Sequence, residues 1–309
     1  MIGQTGITVS VCVLTYNHED YIHQCLSSIF EQKTNFKIEI LLHDDASTDG
    51  TVDIVKDFES RYPNIIKPIY QTVNQRSIYG GGMNPRFNYP RASGKYVALL
   101  EGDDYWTDPY KLQKQVDFME ANPSLSCCGH LTMTQYETTD IQGQSFMQLP
   151  NESGVLTKRA FMDVGCFHTS SVFARAQYLR NLPKEILKIF RDNPMKIWLL
   201  EHGDIKILPE LMSTYRRNDR GVSENINVKK IYQIELATVV GLNKGIKGFY
   251  FKSAYLKSHW HRYYLSNEKG LGFSEKLSLF LKFLIPSFYM FPKNLKPIAS
   301  ALHKVFANS

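Results

Sequence analysis

The apolar residues of the first 120 positions form two alternating patterns. Short runs rich in β-branched residues are typical of buried strands, and they lie at 8–14, 38–42, 65–70 and 96–100. Apolar residues at helical spacing predict amphipathic helices, at 22–30, 52–62 and 112–119. Strands that alternate with helices of about three turns predict an α/β fold with a mostly parallel sheet flanked by helices.

The remainder of the chain alternates less regularly. Two further strands and a helix between them are predicted, at 171–174, 211–214 and 194–201. Beyond residue 226 the pattern is helical, with apolar stripes at 277–284 and 298–306. We expect Pro286 and Pro292 to break the segment between the stripes, which is then too short to span a bilayer.

The charge of the 309-residue chain is distributed unevenly. Residues 226–309 carry 13 Lys or Arg against 3 Glu, a net of +10, while the first 225 residues carry a net of −4. This asymmetry predicts two functionally different parts, at 1–225 and 226–309. A cationic, aromatic, amphipathic region suits an anionic membrane surface. The alternative is that its apolar stripes dock on the first part or on a second subunit. Nucleic acid is disfavoured because the first part is acidic.

The cysteines indicate a reducing compartment. They are odd in number and form no C-x-x-C pair, so neither a disulfide framework nor a zinc site is predicted. The N-terminus has no basic segment before its apolar run and no apolar stretch of the roughly 20 residues that span a bilayer. We therefore expect a cytoplasmic protein without an N-terminal membrane anchor.

Polar and acidic residues follow three of the predicted strands directly. They are Thr15-Tyr16-Asn17, Asp44-Asp45 and Glu101-Gly102-Asp103-Asp104. Ligands of open α/β sheets bind at the carboxyl ends of the strands, so these residues are the first candidates for chemistry. Paired carboxylates repel each other unless a cation or a hydrogen-bonding ligand offsets their charge. A metal ion together with a nucleotide would do so.

Three segments, in order and spacing, resemble the nucleotide-sugar glycosyltransferases of family 2. The segments are VSVCVLTYNHEDYIHQCLSSIFEQ, LLHDDASTDGT and GKYVALLEGDDYWTDPYKLQKQVDFME. The resemblance implies a GT-A fold, with a nucleotide-binding half at about 1–125 and an acceptor half at 126–225. It also implies a donor-nucleotide site, made by Thr15, Tyr16, Asn17, Asp44, Asp45 and Asp103. The alternative for Asp45 is a role in a turn and a helix cap.

The same resemblance implies a divalent cation at the element EGDD. Glu101 stands where the family has the first Asp of its D-x-D element, and Asp103 and Asp104 are the implied metal ligands. Carboxylate oxygens suit Mg²⁺ or Mn²⁺, and such an ion neutralises the departing nucleoside diphosphate. The alternative is a solvated acidic turn.

Asp192 is the implied catalytic base. Inverting transfer needs a base on the face opposite the leaving group, and FRDNPMKIWLLEHGD has the shape of the family segment that supplies it. The alternative for Asp192 is an N-cap of the following helix, in which case Glu201 or Asp204 becomes the candidate base. Further candidate contacts to the diphosphate or acceptor are Arg86, Arg91, Trp106, His168, Arg216, Arg217 and Asn218.

These residues predict a metal-dependent inverting glycosyltransferase. It would move a sugar from a nucleotide sugar, with UDP expected as the nucleotide, to a glycan or lipid-linked acceptor in envelope polysaccharide synthesis, at the inner face of the cell membrane. The alternative is a catalytically silent nucleotide- or glycan-binding module of the same fold. A nucleotidyltransferase is disfavoured because ITVSVCVLTYNHED lacks the glycine-rich, basic signature that such an enzyme needs.

Overall fold

The structure, a computed structural model, describes residues 6–137, 142–145, 152–157, 167–180, 182–189, 192–217, 228–245, 264 and 271–290. The strands are β1 (Ile7–Thr15), β2 (Lys37–Asp44), β3 (Ile66–Tyr70), β4 (Tyr96–Glu101), β5 (Tyr105–Trp106), β6 (Cys127–Tyr136), β7 (Gln142–Ser145), β8 (Val155–Leu156), β9 (Phe173–Arg175) and β10 (Ile205–Arg217). The helices are α1 (Ile22–Phe30), α2 (Thr51–Arg61), α3 (Gln75–Tyr79), α4 (Lys111–Ala121), α5 (Ala176–Arg180), α6 (Lys184–Lys188), α7 (Asp192–Leu200), α8 (Val228–Gly245) and α9 (Phe273–Met290).

The described strands form one sheet in the order β3-β2-β1-β4-β9-β6-β10-β5, with β7 beside β6 and β8 beside β10. The four strands from β3 to β4 are parallel, as the alternation of strands and helices predicts. Their carboxyl ends therefore lie along one edge of the sheet. This edge carries all three polar segments that the sequence marks.

The second half of the sheet mixes both directions. β9 runs antiparallel between β4 and β6, while β6 and β10 are parallel to each other. β5 adds an antiparallel edge to β10, with Thr214 opposite Tyr105. The predicted α/β class, with a sheet flanked by helices, is confirmed.

The core of the first half lies between the sheet and helices α1, α2 and α4. Val9, Val11 and Val13 alternate along β1 and are fully buried against the apolar stripe of α1. That stripe, Ile22, Cys25, Leu26 and Ile29, has the spacing that predicts the helix, and it is fully buried. The four cysteines that the structure describes are buried free thiols.

Helix α9 corrects one prediction from the sequence. Pro286 lies within the helix and does not break it, since α9 continues to Met290. A proline removes one backbone N–H and disfavours the preceding turn, but packing can override this local cost. In the first apolar stripe Phe280 is buried, whereas Leu281 is exposed. Pro292 and the second stripe lie outside the described residues.

The chain divides into two compact units. One comprises Met1–Leu182 and Phe190–Asn218, and the other comprises Pro183–Ile189 and Asp219–Ser309. The boundary thus lies a few residues before the predicted one, and α6 goes with the C-terminal unit. The division into a catalytic domain and a basic region remains a prediction. No helix among the described residues is long and apolar enough to cross a bilayer.

Candidate functional site

The loop after β1 is tied to the loop after β2 by its backbone. Asn17 adopts a left-handed φ of 53°, its N–H donates to Ser47 Oγ at 2.9 Å, and its Oδ1 accepts the N–H of Thr48 at 2.8 Å. Tyr16 is exposed, whereas Thr15 is buried. The loop therefore presents the Tyr16 side chain at the strand-end edge.

Asp44 is buried and shapes a turn. Its carboxylate accepts the N–H of Ser47 at 3.0 Å and the hydroxyl of Ser47 at 2.5 Å. Ala46, inside this turn, has a φ of 65°, a conformation that costs a non-glycine residue about 1 kcal/mol. These hydrogen bonds show that Asp44 stabilises the turn. Its predicted contact to the donor nucleotide remains a prediction.

Asp45 joins β2 to the short helix α3. Its Oδ1 accepts the N–H of Gln75 at 2.7 Å and its Oδ2 accepts the N–H of Arg76 at 2.9 Å. Asp45 therefore accepts two backbone N–H groups in the first turn of α3. The alternative of a helix cap thus applies to α3 and not to α2, the helix that directly follows the loop of Asp45. The predicted contact of Asp45 to a base remains a prediction.

The acidic turn Glu101–Asp104 packs closely on the β1 loop. A Cβ on Gly102 would lie 2.7 Å from His18 Nδ1 and 2.8 Å from Thr15 Oγ1. Within the described residues, these two buried atoms have no hydrogen-bond partner. These two atoms, at the end of β1 and in the loop after it, leave unsatisfied hydrogen-bonding capacity beside the acidic turn.

The carboxylates of this turn are electrostatically strained. Burial, followed by the charge of Asp192 and of Asp103, raises the pKa of Glu101 to about 8. Burial and the neighbouring Asp103 also raise the pKa of Asp104 well above its usual range. His18 lies with Nε2 3.8 Å from Asp103 Oδ2. A bound cation would relieve this accumulation of negative charge.

Asp192 is the first residue of α7 and is exposed. Its charge raises the pKa of Glu101 and opposes the lowering of the His168 pKa, so the structure brings Asp192 into electrostatic range of the acidic turn. Glu201 follows the other end of this nine-residue helix, roughly 13 Å away along its axis. Asp192 is thus grouped with the strand-end acids, while its role as base remains a prediction.

His168 lies beside the acidic turn with its side chain 11% exposed. Its Nδ1 lies 3.8 Å from Asp104 Oδ2 and 2.8 Å from Ser170 Oγ, and its ring contacts that of Tyr215. Burial, reinforced by Lys196, lowers the pKa of His168 to about 3, so the ring is neutral at physiological pH. A neutral imidazole at this place is able to orient a hydroxyl, and the predicted acceptor contact remains a prediction.

Other predicted contacts are engaged within the protein. Trp106 is 4% exposed and its indole N–H donates to Ser170 O, so its side chain packs inside the protein. Arg91 donates to Lys67 O and Leu42 O, and so supports the backbones of β3 and β2. The Arg86 guanidinium lies over the Tyr79 ring, and the Arg217 guanidinium lies over the Tyr136 ring. The Arg216 guanidinium lies beneath the acidic turn. Asn218 lies outside the described residues.

Two residues of this edge were not predicted from the sequence. Arg76 is exposed on α3, and its charge lowers the pKa of Glu101 against the acids that raise it. His18 faces Asp103, as described above. His18 directly follows the marked segment Thr15-Tyr16-Asn17. Arg76 follows no marked segment, and the contact that brings it to Asp45 spans 31 residues and has no local signal.

The arrangement fits a cation held jointly by protein and substrate. No group of three or more His, Cys, Asp or Glu in the described part of the chain is placed to hold a metal alone. Mg²⁺ is usually bound by one or two carboxylates plus substrate phosphates, which is what Asp103 and Asp104 offer. The donor set of this turn therefore suits a nucleotide-bound divalent cation.

The fold is similar to those of solved sugar transferases. Residues 1–349 of S. aureus TarS in complex with UDP-GlcNAc match with a TM-score of 0.67 at 18% identity, over 97% of this chain and 88% of that one. The mannosyltransferase PcManGT from Pyrobaculum calidifontis, in complex with GDP-Man and Mn²⁺, matches with a TM-score of 0.55 at 14% identity, over 99% and 89%. This likeness shows that the chain has the GT-A fold.

The family follows from the sequence match. Residues 10–182, more than half of the chain, match the family model described as glycosyl transferase family 2, and the chain belongs to this family. It is 34% identical over 217 residues to an uncharacterized protein of Mycobacterium tuberculosis, over 69% of this chain and 60% of that protein. It is 36% identical over 128 residues to TuaG of Bacillus subtilis, which is named for teichuronic acid biosynthesis, over 41% and 48%. The chain thus spans less than two thirds of the length of these relatives.

Proposed function

We propose that this protein transfers a sugar from a UDP-linked donor to a hydroxyl of a glycan or lipid-linked acceptor, with inversion at the anomeric carbon. The observation that supports this most is the grouping of Asp45, Asp103, Asp104 and Asp192 around one edge of the sheet. UDP is proposed because the similar TarS structure holds UDP-GlcNAc and because a carboxylate such as Asp45 accepts the N–H of uracil.

Asp103 and Asp104 would hold Mg²⁺ or Mn²⁺ on the diphosphate. When bound, the ion neutralises the negative charge that develops on the leaving nucleoside diphosphate. Arg76 is exposed near Glu101 and adds a positive charge on the same edge. Thr15 Oγ1 and His18 Nδ1, which have no hydrogen-bond partner within the described residues, lie beside Gly102 of this turn.

Asp192 would take the proton of the acceptor hydroxyl. Attack by that oxygen on the anomeric carbon forms the new glycosidic bond while the bond to the diphosphate breaks on the opposite face, which gives inversion. The exposed position of Asp192 at the start of α7 leaves it accessible to an acceptor. General-base catalysis contributes roughly 10²- to 10⁴-fold in rate.

The proposed setting is envelope polysaccharide synthesis at the inner face of the membrane. The relative TuaG is named for teichuronic acid synthesis, and residues 226–309 carry a net charge of +10. Each basic residue near an anionic surface contributes about 1 kcal/mol. The full chain should sediment with vesicles of anionic lipid at low salt and should release them as salt rises. Equal sedimentation with neutral and anionic vesicles would contradict the membrane proposal.

Calorimetric titration with UDP, with and without Mn²⁺, tests the donor site. We expect Mn²⁺ to strengthen UDP binding in the unaltered protein and to lose this effect in Asp103→Asn and Asp104→Asn. Asp117→Asn, an exposed carboxylate on α4, is the matched control. Binding of UDP that ignores both the metal and these substitutions would overturn the donor site.

A catalytically silent module of this fold would bind UDP but would not release UDP from a UDP-sugar. Incubation with a panel of UDP-sugars and Mn²⁺ distinguishes the two, because a transferase releases UDP by slow hydrolysis even without its acceptor. Absence of UDP release from every donor, in a protein that binds UDP, would favour the silent module. In a separate incubation with UTP and sugar 1-phosphates, release of pyrophosphate would point to a nucleotidyltransferase.

A further inference from the structure

The side chain of Arg216 is enclosed beneath the acidic turn. Arg216 lies near the end of β10 and is 8% exposed. Its Nη1 donates to Asp103 O at 2.7 Å, and its Nη2 donates to Gln24 Oε1 on α1. Its backbone N–H donates to Asp104 Oδ1 at 3.0 Å. One residue therefore holds both the main chain and a carboxylate of the turn.

Aromatic rings complete this enclosure. The guanidinium carbon lies 4.5 Å from the centroid of the Tyr105 ring and 5.3 Å from that of Tyr21. Such cation–π contacts are stronger when they are shielded from water. Arg216 thus connects α1, β5 and β10 at the point where the chain turns after β4.

We propose that Arg216 is a positioning residue that orients the carboxylate of Asp104 and the backbone of the acidic turn for a divalent cation. This inference rests on the proposed function, and it assigns Arg216 a role different from a contact to the diphosphate. A phosphate clamp presents its N–H groups to the ligand, whereas Arg216 directs its terminal nitrogens to Asp103 O and Gln24. Residues that orient metal-ligating carboxylates typically contribute 10- to 100-fold to metal affinity.

The geometry also explains why the residue is arginine. The planar guanidinium supplies two donors at a fixed angle, one for the turn and one for α1, and it stacks on aromatic rings. A lysine keeps the positive charge but places a single nitrogen at the end of a flexible stem. Arg216→Lys therefore removes the hydrogen bonds that orient the turn while it keeps the positive charge beside it.

Titration of Arg216→Lys with UDP, in the presence and absence of Mn²⁺, is the first test. We expect the Mn²⁺-dependent affinity to fall by roughly 10- to 100-fold, while the metal-free affinity for UDP stays within about twofold. Arg61→Lys, an exposed arginine on α2 that also lies over a tyrosine ring, is the matched control and should leave both affinities unchanged. An equal loss of metal-free UDP affinity would make Arg216 a diphosphate contact, and no loss in either titration would overturn the positioning role.

Amide hydrogen exchange supplies a readout that needs no metal or substrate. Gly102 N–H donates to Leu14 O and Asp104 N–H donates to Glu101 O, so exchange at these amides reports opening of the turn. We expect faster exchange there in Arg216→Lys and a smaller change of the same sign in Gln24→Ala, an exposed position that leaves the core intact. Unchanged exchange in both variants would overturn the inference. If the unaltered protein binds neither UDP nor Mn²⁺, the proposed function fails, while the exchange result still decides the role of Arg216 in the turn.

Discussion

The carboxylate of Asp45 accepts the backbone N–H of Arg76 at 2.9 Å and thereby fixes the start of α3 against the end of β2. Arg76 is exposed on this helix, on the edge that carries the acidic turn. A donor nucleotide that contacts the Asp45 carboxylate would therefore also lie near the positively charged guanidinium of Arg76. The contact between the end of β2 and α3 thus brings the negative charge of Asp45 and the positive charge of Arg76 to the same edge of the sheet.

Asp45→Asn should loosen α3 and weaken UDP binding. The amide replaces one acceptor oxygen by a donor that faces a backbone N–H, and a hydrogen bond to a charged group contributes about 1.5–3 kcal/mol. We expect faster amide exchange at 75–79 and a loss of UDP affinity of about tenfold or more. Exchange and calorimetry on the same sample check both. Asp53→Asn, exposed in the first turn of α2, is the control, and unchanged exchange at 75–79 would contradict the prediction.

Gly102→Ala should destabilise the acidic turn. The added Cβ would lie 2.9 Å from Thr15 Cβ and closer still to polar atoms of Thr15 and His18, so the loop must shift. Such overpacking typically costs about 1–3 kcal/mol, and urea unfolding monitored by fluorescence measures it. Gly272→Ala, where a Cβ meets only Glu275 Oε2 at 3.8 Å, should be nearly neutral. Equal midpoints for the two variants would show that the turn absorbs the methyl group.

Strands β1, β2 and β4 were predictable because they are buried on both faces over most of their length. A short run rich in apolar and β-branched residues, such as 8–14, identifies a strand of this kind, and the polar residue that ends it marks the carboxyl edge. The order of the later strands was not predictable, because the insertion of β9 between β4 and β6 depends on pairing between distant segments. Local pattern carries no information about such pairing.

The site was predicted as a set of residues but not as a set of contacts. The motifs identify Asp45 and Asp104, yet the partners of these carboxylates, Arg76 and Arg216, lie 31 and 112 residues further along the chain. Arg216 was predicted as a cationic contact to the diphosphate or acceptor, with a solvated basic turn as the alternative. The structure instead buries it against Tyr105, since β5 pairs with β10 at that position.

Asp192→Asn should preserve UDP binding and lower transfer. The amide cannot accept the proton of the acceptor hydroxyl, and the loss should be roughly the 10²- to 10⁴-fold that a general base contributes. Removal of the charge should also lower the pKa of Glu101, which Asp192 raises. UDP release with a competent acceptor measures the rate. Asp204→Asn is the matched comparison, and transfer at the parent rate in Asp192→Asn alone would move the base to another residue.

Lys111 should make the stability of the protein depend on pH above neutrality. Its side chain is fully buried, with Nζ 3.9 Å from the Trp106 ring centroid and donating to Gln115 Oε1, and burial lowers the pKa of Lys111 to about 7. The unfolded chain holds this proton up to a pKa of about 10.4, so between these values the unfolded state binds more protons than the folded state and stability rises with pH. The slope is at most about 1.4 kcal/mol per pH unit. Lys111→Met should remove this rise and should be more stable than the parent below pH 7, where both states of the parent are protonated. Urea unfolding of both proteins between pH 6 and about pH 10, with the exposed Lys114→Met as control, measures the difference, and parallel curves for parent and Lys111→Met would contradict it.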